Sequence, residues 1–205
     1  SRFTAECLGA ALVDVGVTPD EALFDKLRAA HGEPSRYYHT GEHIEACLSH
    51  LDDVRGFAEC PAEVEIALWF HDAVYDARRN DNEARSAAWA HDYLSCRGVN
   101  RGATRRISEM ILATRGHASA DGDTALLVDI DLSILGAVAE TFETYDALIR
   151  REYAWVPEED YRRGRAAVLR DFMDRPWIYV TAEFRRELEA RARENLARKI
   201  AALDA

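Results

Sequence analysis

Residues 63–76 read EVEIALWFHDAVYD, and this stretch decides how the rest of the chain is interpreted. It begins as an apolar run of helical character and, within that run, places His71 and Asp72 side by side. A carboxylate in such a setting costs several kcal/mol unless it is paired or binds a metal. The sequence therefore predicts a partner for Asp72, and a metal ion is our leading hypothesis for that partner.

The composition is typical of a soluble globular protein. The 205 residues are 48% hydrophobic and 31% charged, which is enough for one substantial core, so we expect a single domain over residues 1–205. The net charge of -11 comes without a long block of Lys or Arg, which argues against binding to a nucleic-acid polymer or a membrane surface. The four cysteines form no CxxC pair, and no window is apolar enough to span a membrane. We therefore expect a cytoplasmic protein with reduced thiols.

Helical patterns cover most of the chain. Apolar spacing and capping residues predict a helix after a capping box at Thr18, another after Thr40, and a last one after Thr181. The segment ALLVDIDLSILG, residues 125–136, fits either a strand or a buried helix. We predict a helix because no other segment offers a strand to pair with, and an all-α fold follows.

Two carboxylates lie inside this most apolar segment. Asp129 and Asp131 flank Ile130, and a solvated surface position is hard to reconcile with their surroundings. One of them should have a specific buried task, which is either a structural ion pair or metal ligation.

The histidines supply further candidate ligands, because imidazole and carboxylate are the groups that a hydrolytic metal site needs. His39 and His43 share one face of the predicted helix, although two surface histidines would show the same spacing. His71 and Asp72 are about 100° apart on a helix. They can still converge on an ion beside it, or they can be a packed histidine and an Arg-paired carboxylate.

A second His-Asp pair occurs at His91 and Asp92. It lies in the Ala-rich segment SAAWAHDYL, which shows no burial pattern around the pair. We predict an ordinary solvated or half-buried role for both side chains.

One His, then His-Asp, then a distant Asp resembles the pattern of the HD-domain metal-dependent phosphohydrolases. The segments RYYHTGEHI, WFHDAVYD, NEARSA and DIDLSILG are similar, more narrowly, to a branch of predicted HD phosphohydrolases of about this length. The resemblance covers residues 36–136 and implies a compact multi-helix bundle, with residues 137–205 as a helical extension. It also implies one divalent ion (Mn, Mg, Fe, Co or Ni), with room for a second, held by four ligands: His43, His71, Asp72 and Asp131.

The resemblance implies roles for neighbouring residues as well. His39 matches the histidine that protonates the leaving group in related phosphodiesterases. Asp76, one turn beyond Asp72, matches a carboxylate that orients the attacking water. Tyr75 replaces the glutamate of the HDxxED motif, which argues against alarmone hydrolysis. His117 is expected either to contact a second metal or a phosphate, or to have a structural role.

The expected activity is hydrolysis of a phosphate ester or anhydride in a small molecule, with a nucleotide as the favoured substrate. Four arginines near the motifs are candidates for binding its phosphates: Arg36, Arg78, Arg150 and Arg165. The alternatives are an HD-fold di-iron oxygenase and a non-catalytic, ligand-sensing helical module. The charged segment 183–200 is expected to be a solvated face or a contact in a homo-oligomer.

Overall fold

The computed structural model describes residues 1–117 and 121–205, and every regular element in this part of the chain is a helix. The predicted all-α fold is thereby confirmed, including the helical interpretation of residues 125–136. The α-helices are α1 (Ala5–Asp14), α2 (Glu21–His31), α3 (Gly41–Val54), α4 (Pro61–Phe70), α5 (Asn82–Cys96), α6 (Arg101–Ala113), α7 (Gly122–Asp131), α8 (Ala139–Glu152), α9 (Glu158–Met173) and α10 (Ala182–Asp204). Two 3₁₀ helices cover Arg55–Phe57 and Leu132–Gly136. No helix among the described residues has both the length and the apolar character required to cross a membrane.

The chain divides into two compact units, Ser1–Ile130 and Asp131–Ala205. The first contains α1 to α6 and all of α7 except its last residue, and the second contains α8 to α10. The boundary between the two units lies between Ile130 and Asp131, the last two residues of α7. The expected end of the motif-bearing part, near residue 136, stays a prediction.

Helix α4 is the centre of the first unit. Every residue from Glu63 to Phe70 is buried, because α4 packs against α1, α3, α5 and α6. A helix that is covered on all sides reads as an almost continuous apolar run, which explains the composition of the quoted stretch. The C-terminal end of this buried helix carries His71 and Asp72.

The two glutamates of α4 are buried as ion pairs. Arg106 donates to both carboxylate oxygens of Glu63, at 2.7 Å each. Glu65 accepts from Arg2 at 2.9 Å and also from Arg55. Removal of one partner would leave an uncompensated buried charge. These ion pairs therefore fix the position of α4 relative to the segments that carry the arginines.

The capping residues agree with the sequence analysis at two of three helices. Thr40 and Thr181 are the N-caps of α3 and α10, as predicted. The capping box at Thr18 is wrong. Asp20 is the N-cap of α2, because its backbone is extended and its carboxylate accepts from the amide of Leu23 at 3.1 Å.

In the second unit, side chains of α10 satisfy main-chain groups of the irregular segments. The carboxylate of Glu189 accepts from the amides of Ile178 and Tyr179, at 3.0 and 3.1 Å. The side-chain amide of Asn195 donates to the carbonyl of Leu135 at 2.9 Å. Buried main-chain groups need hydrogen-bond partners, so these side chains of α10 stabilise the irregular segments of the second unit.

Replacement of Gly136 by alanine is expected to destabilise the protein. An added Cβ would lie 2.6 Å from Leu188 Cβ and 3.0 Å from the Leu188 carbonyl oxygen. We expect a loss of about 1–3 kcal/mol in the free energy of unfolding, measured by urea denaturation. The control is Gly164→Ala in α9, where nothing lies within 4 Å of the added Cβ and a gain of about 0.5–1 kcal/mol is expected. Equal stability of the two variants would contradict close packing at Gly136.

Candidate metal centre

Three of the four predicted ligands bring their donor atoms together. His43 Nε2 lies 3.2 Å from His71 Nε2. Asp72 Oδ2 lies 3.0 Å from His71 Nε2 and 3.4 Å from His43 Nε2. Neighbouring ligands around a divalent ion with bonds of about 2.0–2.2 Å are roughly 3.0–3.4 Å apart. The three atoms therefore fit one face of a metal coordination sphere.

The chain leaves the helix at the position where these ligands occur. Helix α4 ends at Phe70, and His71 is its C-cap, with φ -57° and ψ -34°. The expected placement of Asp72 and Asp76 on the same helix is wrong, because residues 71–76 form turns and irregular backbone. The change of direction lets His71 and Asp72 point to one place, which consecutive residues on a helix do not do.

A main-chain carbonyl fixes the orientation of the His71 ring. Nδ1 of His71 lies 2.8 Å from the carbonyl oxygen of Leu68. A carbonyl only accepts, so Nδ1 carries a proton and Nε2 is the ring nitrogen that can bind a metal ion. Nε2 faces His43 and Asp72, and a backbone-bonded Nδ1 opposite the ligating nitrogen is the arrangement that metal-binding histidines adopt in proteins.

One more side chain of the first unit joins the donor group. One atom from each of His43, Cys47 and His71 lies within 4.8 Å of the others. Asp131 is the last residue of α7 and the first residue of the second unit, whereas Asp129 is fully buried within α7, and ligation by Asp131 stays a prediction. These side chains form a largely buried group that can hold a metal ion.

Cys47 is the ligand candidate that the sequence analysis missed. It lies one turn after His43 on α3 and is 2% exposed. The absence of a CxxC pair gave no reason to expect a cysteine ligand. The available signal was the spacing of four residues between His43 and Cys47 on a predicted helix.

The carboxylate of Asp72 is ionised despite its surroundings. Burial acts to raise the pKa of Asp72, but the charges of His71 and His39 and hydrogen bonds from His43 and His71 outweigh it. They hold the pKa well below its usual value. The carboxylate is thus in the form that a metal ion requires.

Arg36 joins the two segments that carry the site. Its side chain is 1% exposed, and its guanidinium donates to the carbonyls of Asp72 at 2.5 Å, Ala73 at 3.0 Å and His39 at 3.3 Å. Its Nε donates to Glu33 Oε2 at 2.9 Å. The sequence analysis predicted a phosphate contact for Arg36. In the structure its hydrogen bonds hold the backbone of the motif, and contact with a substrate stays a prediction.

Helix α5 fastens the other side of the loop after His71. Ser86 Oγ accepts from the amide of Val74 at 3.0 Å. The side-chain amide of Asn82 bonds both the amide and the carbonyl of Asp76, at 3.1 and 2.9 Å. The segment NEARSA is therefore an anchor for the loop, a role that the sequence did not indicate.

His39 lies beside the donor group and is flanked by tyrosines. Its ring stacks on Tyr75, with centroids 4.0 Å apart and an interplanar angle of 23°. Tyr38 lies 5.0 Å from His39 and 4.7 Å from His43, measured between ring centroids. The position expected for a proton donor is therefore adjacent to the candidate ligands and held by aromatic contacts.

Three other predicted site residues lie outside the donor group. Asp76 is exposed, and its Oδ1 accepts from the amide of Arg78 at 2.9 Å. Arg78 is exposed as well. His117 follows α6 with a φ of 48°, a conformation that non-glycine residues seldom adopt. The roles proposed for these residues stay predictions.

The remaining arginine candidates belong to the second unit. Arg150 donates to Glu158 and to the carbonyl of Tyr153, at 3.0 and 2.7 Å. Arg165 donates to Asp146 and to a tyrosine hydroxyl, at 3.0 and 3.2 Å. Both guanidiniums thus have protein partners.

The second His-Asp pair has the ordinary role predicted for it. On α5 the side chains of His91 and Asp92 are 55% and 82% exposed, and their nearest polar atoms are 3.5 Å apart. Sequence context thus separated a surface pair from the buried one.

No protein-family model matches this chain, and neither a curated protein nor a solved structure shows significant similarity to it. The likeness to HD-domain phosphohydrolases therefore rests on the motif residues. The convergence of their side chains is what the structure adds.

Replacement of Arg36 by lysine is expected to weaken metal binding. Lysine keeps the charge but lacks the planar fork that reaches three carbonyls, so the loop carrying Asp72 loses its support. We expect affinity for Mn²⁺ and Zn²⁺ to fall by about 10- to 100-fold in titration calorimetry. Arg105→Lys, on a side chain that is 74% exposed, is the matched control. Unchanged affinity in Arg36→Lys would show that the loop does not depend on the guanidinium.

The lowered pKa of His31 leads to a prediction of how the free energy of unfolding depends on pH. His31 is buried, its Nδ1 lies 3.5 Å from Arg36 Nη1, and desolvation together with the Arg36 charge lowers its pKa to about 3. In the unfolded chain His31 becomes protonated below about pH 6.5, whereas in the folded chain it stays neutral until the pH approaches 3. The free energy of unfolding therefore falls as the pH drops from about 6.5 towards 3. His31→Gln should remove up to about 1.4 kcal/mol per pH unit of this slope.

The measurement is urea denaturation between pH 7 and pH 4.5, compared as slopes so that any uniform loss of stability cancels. His91→Gln, on an exposed side chain, should keep the parent slope. Identical slopes for His31→Gln and the parent would contradict a neutral His31.

Proposed function

We propose that this protein is a metal-dependent hydrolase of a phosphate ester or anhydride in a small molecule, with nucleotides as the favoured substrate class. The observation that carries the proposal is the convergence of His43, His71 and Asp72 from two separate segments of the chain. The family resemblance of the four motifs, which implies Asp131 as the fourth ligand, supports it.

The donor set suits this chemistry. Imidazoles and carboxylates bind a divalent ion while leaving positions for water and for a phosphoryl oxygen. A bound ion would lower the pKa of a water molecule and polarise the phosphoryl group. The protein contributes by holding the ligands rigidly, through the Arg36 bonds to the backbone and the Leu68 bond to the His71 ring.

His39 is the proposed proton donor to the leaving group. Its ring centroid lies 5.9 Å from that of His43, so it is close to the donor group without being part of it. Stacking on Tyr75 limits rotation of the imidazole, which restricts the directions in which its ring nitrogens point. A positioned histidine of this kind contributes about 10²- to 10⁴-fold to a rate.

A hydrolytic centre also agrees better with the described donors than the di-iron oxygenase does. A second iron would need further ligands, and His117, the residue proposed for this purpose, is not in the group of mutually close donors found among the described residues. The non-catalytic module remains the alternative that only an activity measurement decides.

The proposed function predicts separate effects of ligand and acid variants. The parent should cleave at least one member of a panel of nucleoside mono-, di- and triphosphates, cyclic nucleotides and dinucleotides with Mg²⁺, Mn²⁺, Co²⁺ or Ni²⁺. His71→Ala and Asp72→Ala should lose both metal and turnover, because each removes a donor atom. His39→Ala should keep the metal and lose about 10²- to 10⁴-fold in turnover, most with poor leaving groups.

His91→Ala is the control and should match the parent in metal content and rate, since this side chain is exposed. Full metal stoichiometry in both His71→Ala and Asp72→Ala, with the fold intact, would refute the ligand set. An unchanged rate in His39→Ala would remove His39 from the mechanism. No turnover on any substrate with any ion would favour the ligand-sensing module.

A further inference from the structure

We infer that Cys47 is a ligand of the metal centre and that its sulfur makes the centre selective for Zn²⁺, Co²⁺ and Fe²⁺ over Mg²⁺. The inference rests on the metal site of the proposed function and narrows the class of ion that it holds. It does not depend on which substrate is cleaved.

The position of the sulfur fits direct coordination. Cys47 Sγ lies 3.8 Å from His43 Nε2, the nitrogen that also faces His71 and Asp72, and 3.9 Å from His43 Nδ1. Around a tetrahedral ion with metal–sulfur bonds of about 2.3 Å and metal–nitrogen bonds of about 2.0–2.1 Å, sulfur and nitrogen ligands are roughly 3.5 Å apart. Because the sulfur is about equally far from both ring nitrogens, coordination requires the Cys47 side chain to turn towards Nε2 when the ion binds.

The other cysteines do not share this environment. Cys7 and Cys60 are half-buried, Cys96 is exposed, and none of the three belongs to the donor group. Cys47 is on the buried face of α3, where a cysteine can also serve as a small apolar residue. Its neighbours argue for the additional role, because the sulfur lies 3.8 Å from His43 Nε2 and within 4.8 Å of a donor atom of His71.

Sulfur changes which ions the centre prefers. Mg²⁺ is a hard cation that selects oxygen ligands and dehydrates reluctantly, whereas Zn²⁺, Co²⁺ and Fe²⁺ accept thiolate together with imidazole. Coordination uses the thiolate form and releases the thiol proton to solvent. Two imidazoles, one thiolate and a carboxylate therefore form a donor set in which Mg²⁺ competes poorly.

The test uses Co²⁺ as a spectroscopic probe on the full-length chain, because thiolate bound to Co²⁺ gives a charge-transfer band in the near ultraviolet that nitrogen and oxygen ligands do not give. A variant with Cys7→Ser, Cys60→Ser and Cys96→Ser keeps Cys47 as its only thiol. We expect this variant and the parent to bind Co²⁺ with the band. Cys47→Ser and Cys47→Ala should bind Co²⁺ without the band and should lose at least about tenfold in Zn²⁺ affinity, with Mg²⁺ binding unchanged.

The outcomes separate this inference from the proposed function. Stoichiometric Co²⁺ without the band in the variant that retains only Cys47 would overturn the inference and leave the hydrolase proposal intact. Persistence of the band in Cys47→Ser would also overturn it. Failure of the parent to bind Co²⁺, Zn²⁺ or Mg²⁺ would overturn both proposals. Metal binding with the band but no phosphohydrolase activity would leave Cys47 as a ligand and refute only the function.

Discussion

The buried guanidinium of Arg36 is the contact on which the candidate centre depends. It bonds the carbonyls of His39, Asp72 and Ala73, and so joins the segment before α3 to the loop after α4. His43 and His71 lie on these two separate elements and meet only if the elements keep their spacing. A buried cation is costly unless its donors are bonded, so the carbonyls stabilise Arg36 while Arg36 fixes the carbonyls. Its planar fork is what makes several such bonds possible at once.

The same cation sets the charge balance around the site. The pKa of His31 is lowered by desolvation and by the charge of Arg36, so the His31 ring stays neutral next to a fixed positive charge. Asp72 has the opposite environment, since the pKa of its carboxyl is held low by histidines despite burial. A bound metal ion would take the place of the protons on His43 and His71 and would likewise favour the ionised carboxylate of Asp72.

Much of the fold was predictable because helix signals are local. Apolar spacing and capping residues predicted helices after Thr40 and Thr181, and α3 and α10 begin directly after these residues. The candidate ligands His43, His71 and Asp72 were predicted from the motif, but Cys47 was missed because its closeness to them depends on a histidine four residues away on a helix rather than on another cysteine. Arg36 was expected to meet phosphates. Nothing in a one-dimensional pattern shows that its guanidinium reaches a carbonyl 36 residues further along the chain.

Tyr75 stands at the position of the glutamate in the HDxxED motif, and this difference bears on the proposed chemistry. Where that motif has a glutamate, this chain places a ring that stacks on His39 at 4.0 Å. The glutamate of that motif is thus replaced here by a ring that orients an imidazole. Asp76, which matches the carboxylate that orients water, is exposed, and its Oδ1 accepts a hydrogen bond from the amide of Arg78. Under the proposed function, the residue held in place by aromatic contacts is the proposed proton donor, so we expect the largest rate gains on substrates whose cleavage is limited by protonation of the leaving group.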